Sequence, residues 1–228
     1  MGINKDKNRD ISDTITYKNY HKNIAPFLSK NDLMLTKTII DEVNANGYFI
    51  QDLFQLSWMD EEDYEVIDRI LVRYALKFER KNLRNGVIAY LGKKENYFAT
   101  EFLIETFKEA RGDEDQETDW SMTLRAVSSS ALLRIKDKTR IDDYISLIND
   151  VNTRKDTHYL ILLLGELKAK RAIPFLIDLL NEDNAALQSA AIQALGHFKK
   201  TVDLEAIISP FLKNENEILR EYAKKVLK

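Results

Sequence analysis

The sequence of 228 residues contains no cysteine, only 3 prolines and only 7 glycines. Without cysteine, disulfides, thiolate metal ligands and thiol nucleophiles are excluded. Strand-rich folds need many turn residues, so the scarcity of glycine and proline favours helices joined by short polar loops. The sequence also lacks the apolar run of roughly 18 residues that a membrane-spanning helix needs. Its first residues lack the apolar core of a signal peptide. We therefore expect an all-α, cytoplasmic protein.

An excess of positive charge is also lacking, because the formal net charge is −3 while charged residues make up 31% of the chain. A nucleic-acid-binding protein usually concentrates positive charge, since neutralisation of phosphates dominates its affinity. The average charge does not indicate such a protein, although a local basic patch could still do so. Hydrophobic residues make up 44%, which is enough for a continuous core.

Three segments differ in composition. Residues 1–18 are polar and charged, which predicts a disordered tail. Residues 19–60 predict a helical N-terminal cap, and residues 61–228 predict a single solenoid domain of helical repeats. An acidic linker at Gly112–Asp119 is the longest break among these repeats.

One helix of the cap has readable ends. Asn31 resembles an N-cap residue ahead of an apolar run with helical spacing. Gly47 is expected to end the same helix, because glycine readily adopts the positive φ of a helix stop.

The C-terminal half of the sequence repeats itself. Ile135–Lys138 recurs 32 residues later as Leu167–Lys170, and a Leu-Gly pair ends alternate predicted helices at Gly92, Gly165 and Gly196. Each repeat reads as a helical hairpin with one apolar face, which neighbouring repeats must cover by stacking. We expect these glycines to reverse the chain at positive φ.

Residues 172–196 resemble a HEAT repeat of the type also found in phycobilisome lyases. They have Pro174 in a first helix and an alanine-rich second helix that ends in Leu-Gly. The resemblance is clearest over residues 120–228. It departs at Gln188, where the family usually has arginine, whereas Arg220 fills that place in the last unit. The resemblance implies a right-handed α-α superhelix with second helices on the concave side, and binding rather than chemistry.

The polar residues do not form a recognisable catalytic or metal-binding constellation. His21, His158 and His197 lack a second ligand at metal-site spacing. Deoxyhypusine hydroxylases, which resemble this repeat, bind iron through His-Glu pairs, and no histidine here precedes glutamate. HEAT-like alkylpurine glycosylases use tryptophans and an aspartate, but Asp119 and Trp120 are helix neighbours that point about 100° apart. We predict no catalytic residues, metal ligands or cofactors, and a chain that is not an enzyme.

Repeat register predicts a candidate concave face. Positions counted back from each Leu-Gly glycine share one side of the second helices and are small and mostly neutral. Such a surface suits an extended peptide or a partner helix, and a solvated face without a ligand is an equal alternative. The candidate residues are Asn85, Ser130, His158, Leu162, Ser189, Gln193 and Glu221.

Two other patterns share the helical spacing. Ile88, Ile161 and Ile192 each lie four residues before a Leu-Gly glycine, which favours packing between second helices over an apolar stripe for a partner. A candidate basic patch recurs at i+3 or i+4 and reads either as a solvated convex face or as a site for an acidic partner or a nucleic-acid backbone. Its members are Arg69, Arg73, Lys77, Lys81 and Arg84.

These features together predict a non-enzymatic protein–protein interaction module. A scaffold, adaptor, regulator or immunity-type binder would use the concave face or the N-terminal cap to hold a protein partner. The alternative is a nucleic-acid-binding HEAT-like protein related to the alkylpurine DNA glycosylases.

Overall fold

The computed structural model describes residues 28–58, 65–110 and 123–228. The predicted tail at 1–18 and the acidic linker Gly112–Asp119 lie outside the described residues. Every regular element in the described ranges is helical, which confirms the all-α prediction. The α-helices are α1 (Lys30–Ala45), α2 (Glu65–Tyr74), α3 (Lys81–Leu91), α4 (Thr100–Glu109), α5 (Leu124–Ile135), α6 (Ile141–Asn149), α7 (His158–Glu166), α8 (Ile173–Asp178), α9 (Ala185–Leu195), α10 (Leu204–Ile208) and α11 (Glu217–Leu227).

The chain divides into two compact units, Met1–Tyr90 and Leu91–Lys228, which we call unit 1 and unit 2. The boundary falls within the segment 61–228 that was predicted to be one domain. Short 3-10 turns join many of the helices and extend α8 and α10 by one turn each.

The start of α1 in unit 1 differs from the prediction. The N-cap is Ser29, whose hydroxyl accepts a hydrogen bond from the Asp32 backbone N–H at 3.1 Å. Asn31 lies inside the helix and donates its side-chain amide to the Lys77 carbonyl at 3.3 Å, so the prediction that it caps the helix is wrong. The stop at Gly47 is confirmed, because this glycine has φ 89°.

Burial of the Asp32 carboxylate ties α1 to the start of α3. Asp32 is 1% exposed and accepts hydrogen bonds from the backbone N–H groups of Glu79 at 2.8 Å and Arg80 at 3.0 Å. These donors immediately precede α3, where helical N–H groups lack carbonyl partners. A side chain from α1 therefore supplies a cap for α3.

Unit 2 is a succession of helical hairpins. The second helices α5, α7, α9 and α11 pack side by side in that order, and α6, α8 and α10 precede them as first helices. The Ala190, Ala191 and Ala194 side chains on α9 are completely buried, because small side chains let neighbouring helices approach closely. Ile161 and Ile192 are also fully buried, as Ile88 is in unit 1, which confirms the packing interpretation of these isoleucines.

The Leu-Gly glycines have a different role from the predicted one. None of Gly92, Gly165 and Gly196 has positive φ. A Cβ atom on Gly92 would lie 2.6 Å from the Ala131 Cα, and one on Gly165 would lie 2.6 Å from the Ala194 Cα. Gly92 and Gly165 therefore allow a close backbone approach. The predicted chain reversal at positive φ is wrong at all three glycines.

Candidate partner-binding surface

The predicted concave positions of unit 2 lie on the second helices, and we call this surface the second-helix face. Ser130 on α5, Leu162 on α7 and Gln193 on α9 occupy the same register on adjacent helices, and each is half-buried. None of the three carries a charge. They form a neutral strip that crosses three repeats, and Glu221 on α11 adds an exposed carboxylate beyond it.

His158 and Ser189 meet at one carbonyl group. The His158 Nδ1 lies 3.3 Å from the Ala186 carbonyl oxygen, and the Ser189 hydroxyl donates to the same oxygen at 2.9 Å. The Tyr159 ring stands edge-on to the His158 ring, with centroids 5.3 Å apart. His158 therefore joins α7 to α9, and it is half-buried. Ser189 is only 5% exposed and offers little surface to a ligand.

Polar groups at the remaining predicted positions are occupied locally. Gln193 donates its side-chain amide to the Ser189 carbonyl at 3.2 Å. Glu221 accepts from Lys224 at 2.9 Å, and this hydrogen bond lowers the pKa of the Glu221 carboxyl. Asn85 belongs to unit 1 and is buried, so its side chain offers little surface to a partner.

Arg125 is a structural residue that the sequence analysis missed. Its guanidinium is nearly buried and donates to the Phe107 carbonyl at 3.2 Å, the Asn152 carbonyl at 2.8 Å and the Asp156 carboxylate at 2.7 Å. It therefore joins the end of α4 to the loop ahead of α7. Arg125 lies eight residues before Leu133, which occupies the position of the Leu-Gly glycine in later repeats. Counting eight residues back from that position would have identified Arg125 in the sequence.

Gln188 and Arg220 share that register and make the same kind of contact. Gln188 donates its amide to the Leu180 carbonyl at 3.0 Å, and Arg220 donates to the Asn214 carbonyl at 2.7 Å. Gln188 thus replaces the arginine that is usual in the family but still donates a hydrogen bond to the end of the preceding first helix. Carbonyl groups at the end of a helix lack partners within the helix.

The candidate basic patch of unit 1 is partly neutralised. Arg69 pairs with Glu65, and Arg73 pairs with Glu42. Lys77 lies above the Tyr74 ring at 4.8 Å from its centroid.

The other two members of this patch, Lys81 and Arg84, are half-buried, in contrast to the exposed Arg69, Arg73 and Lys77. Pairing of the exposed arginines weakens the field that a nucleic-acid backbone would require.

The family described as HEAT repeats matches residues 141–228. The match confirms the resemblance to HEAT repeats for these residues. The match covers α6 to α11, which are the hairpins whose second helices carry most of the second-helix face. The protein is therefore a helical-repeat protein, as the resemblance implied.

A solved structure has the same fold. It is a chain of the complex of CpcE and CpcF of phycocyanin lyase from Nostoc sp. PCC7120, with 21% identity and a TM-score of 0.51. The match covers 74% of this chain, and this chain spans 66% of the neighbour. No curated protein matches the sequence.

This neighbour corrects the prediction that the chain is not an enzyme. A protein built on the same helical-repeat fold is part of a lyase, so a HEAT-repeat chain without a recognisable catalytic constellation in its sequence is not thereby a non-enzyme. The inference from missing motifs to missing activity was wrong, because fold and short motifs do not determine function.

Two general findings apply to the described part of the chain. It contains no cluster of three or more histidine, aspartate or glutamate residues placed to hold a metal ion. None of its helices combines the length and the apolar character needed to cross a membrane.

Proposed function

We propose that this HEAT-repeat protein binds a partner protein through the second-helix face of unit 2. The observation that supports this proposal is the strip of Ser130, Leu162 and Gln193, uncharged and half-buried on three adjacent helices. A surface of adjacent helices with neutral, partly apolar positions suits an extended peptide or an amphipathic helix. The solved neighbour is itself a complex of two proteins, which supports protein binding as a use of the fold.

Polar groups of His158 and Glu221 lie beside the uncharged strip and can orient a bound partner. The half-buried His158 at the start of α7 and the exposed Glu221 on α11 place polar atoms at the margins of the uncharged centre. Protein interfaces commonly have this arrangement, in which an uncharged centre excludes water and a polar rim sets direction. The face can serve a scaffold, a regulator or a subunit of an enzyme equally well, because each of these roles starts from partner binding.

Parallel affinity capture from the native host tests the proposal. The three baits are the wild-type chain, Leu162→Arg on the second-helix face and Val151→Arg as a control on a turn, where the valine is 80% exposed. Both substitutions add one positive charge. We expect wild type and V151R to retain the same stoichiometric protein and L162R to lose it, while circular dichroism shows all three folded. Equal retention by the two variants, or no retained protein, would count against the second-helix face.

A further inference from the structure

The connections that follow the second helices lie along one edge of unit 2. The Lys136 ammonium pairs with the Glu166 carboxylate at 2.6 Å, which joins the C-terminal ends of α5 and α7. Gly165 near the end of α7 contacts Ala194 near the end of α9, and α9 and α11 meet in the same way. The C-terminal ends of four successive second helices are therefore neighbours, and the chain leaves each of them at the same edge.

This edge is strongly basic, and we call it the basic edge. Its connections are residues 136–140, 168–172 and 197–203, and they contain two acids. Asp137 is 6% exposed, and Asp203 is the N-cap of α10 and accepts a hydrogen bond from the Ala206 backbone N–H at 3.1 Å. The connections contain eight side chains with full positive charge, which are Lys136, Lys138, Arg140, Lys168, Lys170, Arg171, Lys199 and Lys200.

The opposite edge has the reverse balance. Its connections run from first to second helices at residues 150–157, 182–184 and 214–216. They contain two basic residues and five acidic ones, which are Arg154, Lys155, Asp150, Asp156, Glu182, Asp183 and Glu215. Helix dipoles do not explain this separation, because each edge has both N-terminal and C-terminal helix ends.

The arginines of the basic edge are paired, whereas most of its lysines are not. Arg140 pairs with Glu101 and Asp143, and Arg171 pairs with Asp142. Five exposed lysines have no ion-pair partner among the residues that the structure describes, and these are Lys138, Lys168, Lys170, Lys199 and Lys200. The positive charge left for a ligand is thus carried by flexible ammonium groups.

Two lysines of this edge occupy backbone positions that folding alone would give to glycine. Lys136 has φ 59° and Lys168 has φ 52°, and they are 32 residues apart in the repeat. A left-handed backbone costs free energy for any residue with a Cβ, and glycine avoids this cost. Lys136 pairs with Glu166 within the fold, whereas Lys168 has no ion-pair partner among the described residues. Lysine at position 168 therefore points to a use for its side chain outside the fold.

We propose that the basic edge binds an acidic, extended segment of a partner protein. The inference rests on the proposed protein-binding function but places this contact on a surface separate from the second-helix face. Neighbouring helices pack about 8–10 Å apart, so lysines of successive connections are spaced by about that distance. An extended chain advances about 3.3 Å per residue, and a carboxylate at about every third residue matches the spacing.

Protein fits this edge better than nucleic acid. The planar guanidinium that favours phosphate is already engaged at both arginines, Arg140 and Arg171. A long polyanion would extend toward the acidic opposite edge of a chain whose net charge is −3, and that field repels it. A short acidic segment can stay within the basic edge.

Fluorescence anisotropy with a designed peptide tests the proposal. The probe is a labelled peptide of about 18 residues with glutamate at every third position and glycine and serine between, titrated with the full chain at low salt. The variant is K168E/K170E, and the control K108E/K213E makes the same charge change near the opposite edge. We expect the first pair to weaken binding by about tenfold or more and the control by about threefold or less.

Several outcomes would overturn the proposal. Equal weakening by the two variants would show an effect of net charge alone, and no binding by the wild type at millimolar protein would remove the site. Tighter binding of a DNA duplex of about 20 base pairs, with the same sensitivity to K168E/K170E, would assign the edge to nucleic acid instead.

Two further variants separate the possible failures. Lys168→Gly should keep or raise the melting temperature while weakening peptide binding, and a lower melting temperature would contradict the argument from backbone strain. Leu162→Arg should leave peptide binding unchanged, because Leu162 lies on the second-helix face. Any clear change of peptide binding in L162R, weaker or tighter, would place the acidic segment on that face and overturn the basic edge. Failure of the partner capture alone would leave the basic-edge proposal intact.

Discussion

Gly165 on α7 lies so close to Ala194 on α9 that a Cβ atom at Gly165 would stand 2.6 Å from the Ala194 Cα. That atom belongs to the backbone of α9, which cannot move aside as the tip of a flexible side chain can. Gly92 stands in the same relation to Ala131, also at 2.6 Å. A glycine facing an alanine therefore permits a close backbone approach at two places in unit 2.

Replacing Gly165 with alanine should destabilise the protein. The added methyl group must push α7 away from α9, and overpacking of this kind costs about 1–3 kcal/mol. Gly86→Ala is the matched control, because a Cβ atom there meets nothing within 4 Å, and alanine in a helix should gain about 0.5–1 kcal/mol over glycine. Urea denaturation of both variants measures the difference. A shift of the same sign and size for both would contradict the close-approach role of Gly165.

Arg125→Ala should be the most damaging single removal of a charge in unit 2. The Arg125 side chain is 8% exposed and its partner Asp156 is 21% exposed, so the substitution leaves a largely buried carboxylate and two carbonyls without their donor. We expect a loss of about 2–4 kcal/mol, somewhat below the range for a fully buried pair. Arg171→Ala is the control, since its pair with Asp142 is 68% and 74% exposed and should contribute less than about 1 kcal/mol. Thermal or urea unfolding that ranks the two variants equally would refute this assignment.

The repeat architecture could be predicted because a period of 32 residues preserves both the apolar spacing and the marker residues. The register also located the isoleucines correctly, since Ile161 and Ile192 are completely buried. The same register predicts the positions of the second-helix face, but it does not predict that Ser189 is buried. A serine at a helix surface and one against a neighbouring helix have the same sequence signature.

Other features could not be predicted, because one residue type serves two purposes. Glycine permits both a close approach between helices, as at Gly165, and a left-handed turn. The sequence pattern does not show which of the two a given glycine serves. The left-handed position three residues later is occupied by Lys168, against the usual preference. Arg125 was missed because Leu133 replaces the glycine that marks the register elsewhere.

Tyr144 should make unit 2 sensitive to alkaline pH. Burial raises the pKa of the Tyr144 hydroxyl, with Asp137 adding to the shift, so the folded state favours the neutral phenol. The resulting stability is fully present below the unfolded pKa of about 10 and is lost as pH rises above it. We expect the urea midpoint of the wild type to fall between about pH 9 and pH 11 and that of Tyr144→Phe to fall less.

The same variant at neutral pH provides a second check. The Tyr144 oxygen is buried and has no hydrogen-bond partner in the described part of the protein. Its removal should therefore be neutral or stabilising by up to about 1 kcal/mol. A strong loss of stability in Tyr144→Phe near neutral pH would show that the hydroxyl has a partner that matters.

Site-specific photo-crosslinking tests the central proposal, partner binding through the second-helix face, most directly. A photoreactive phenylalanine analogue is placed singly at Ser130, Leu162 and Gln193, and at the exposed Val151 as the control, and each chain is irradiated in the native host. The account predicts one shared protein crosslinked from all three face positions and absent from position 151. Crosslinks to unrelated proteins at each face position, or the same protein from position 151 alone, would contradict it.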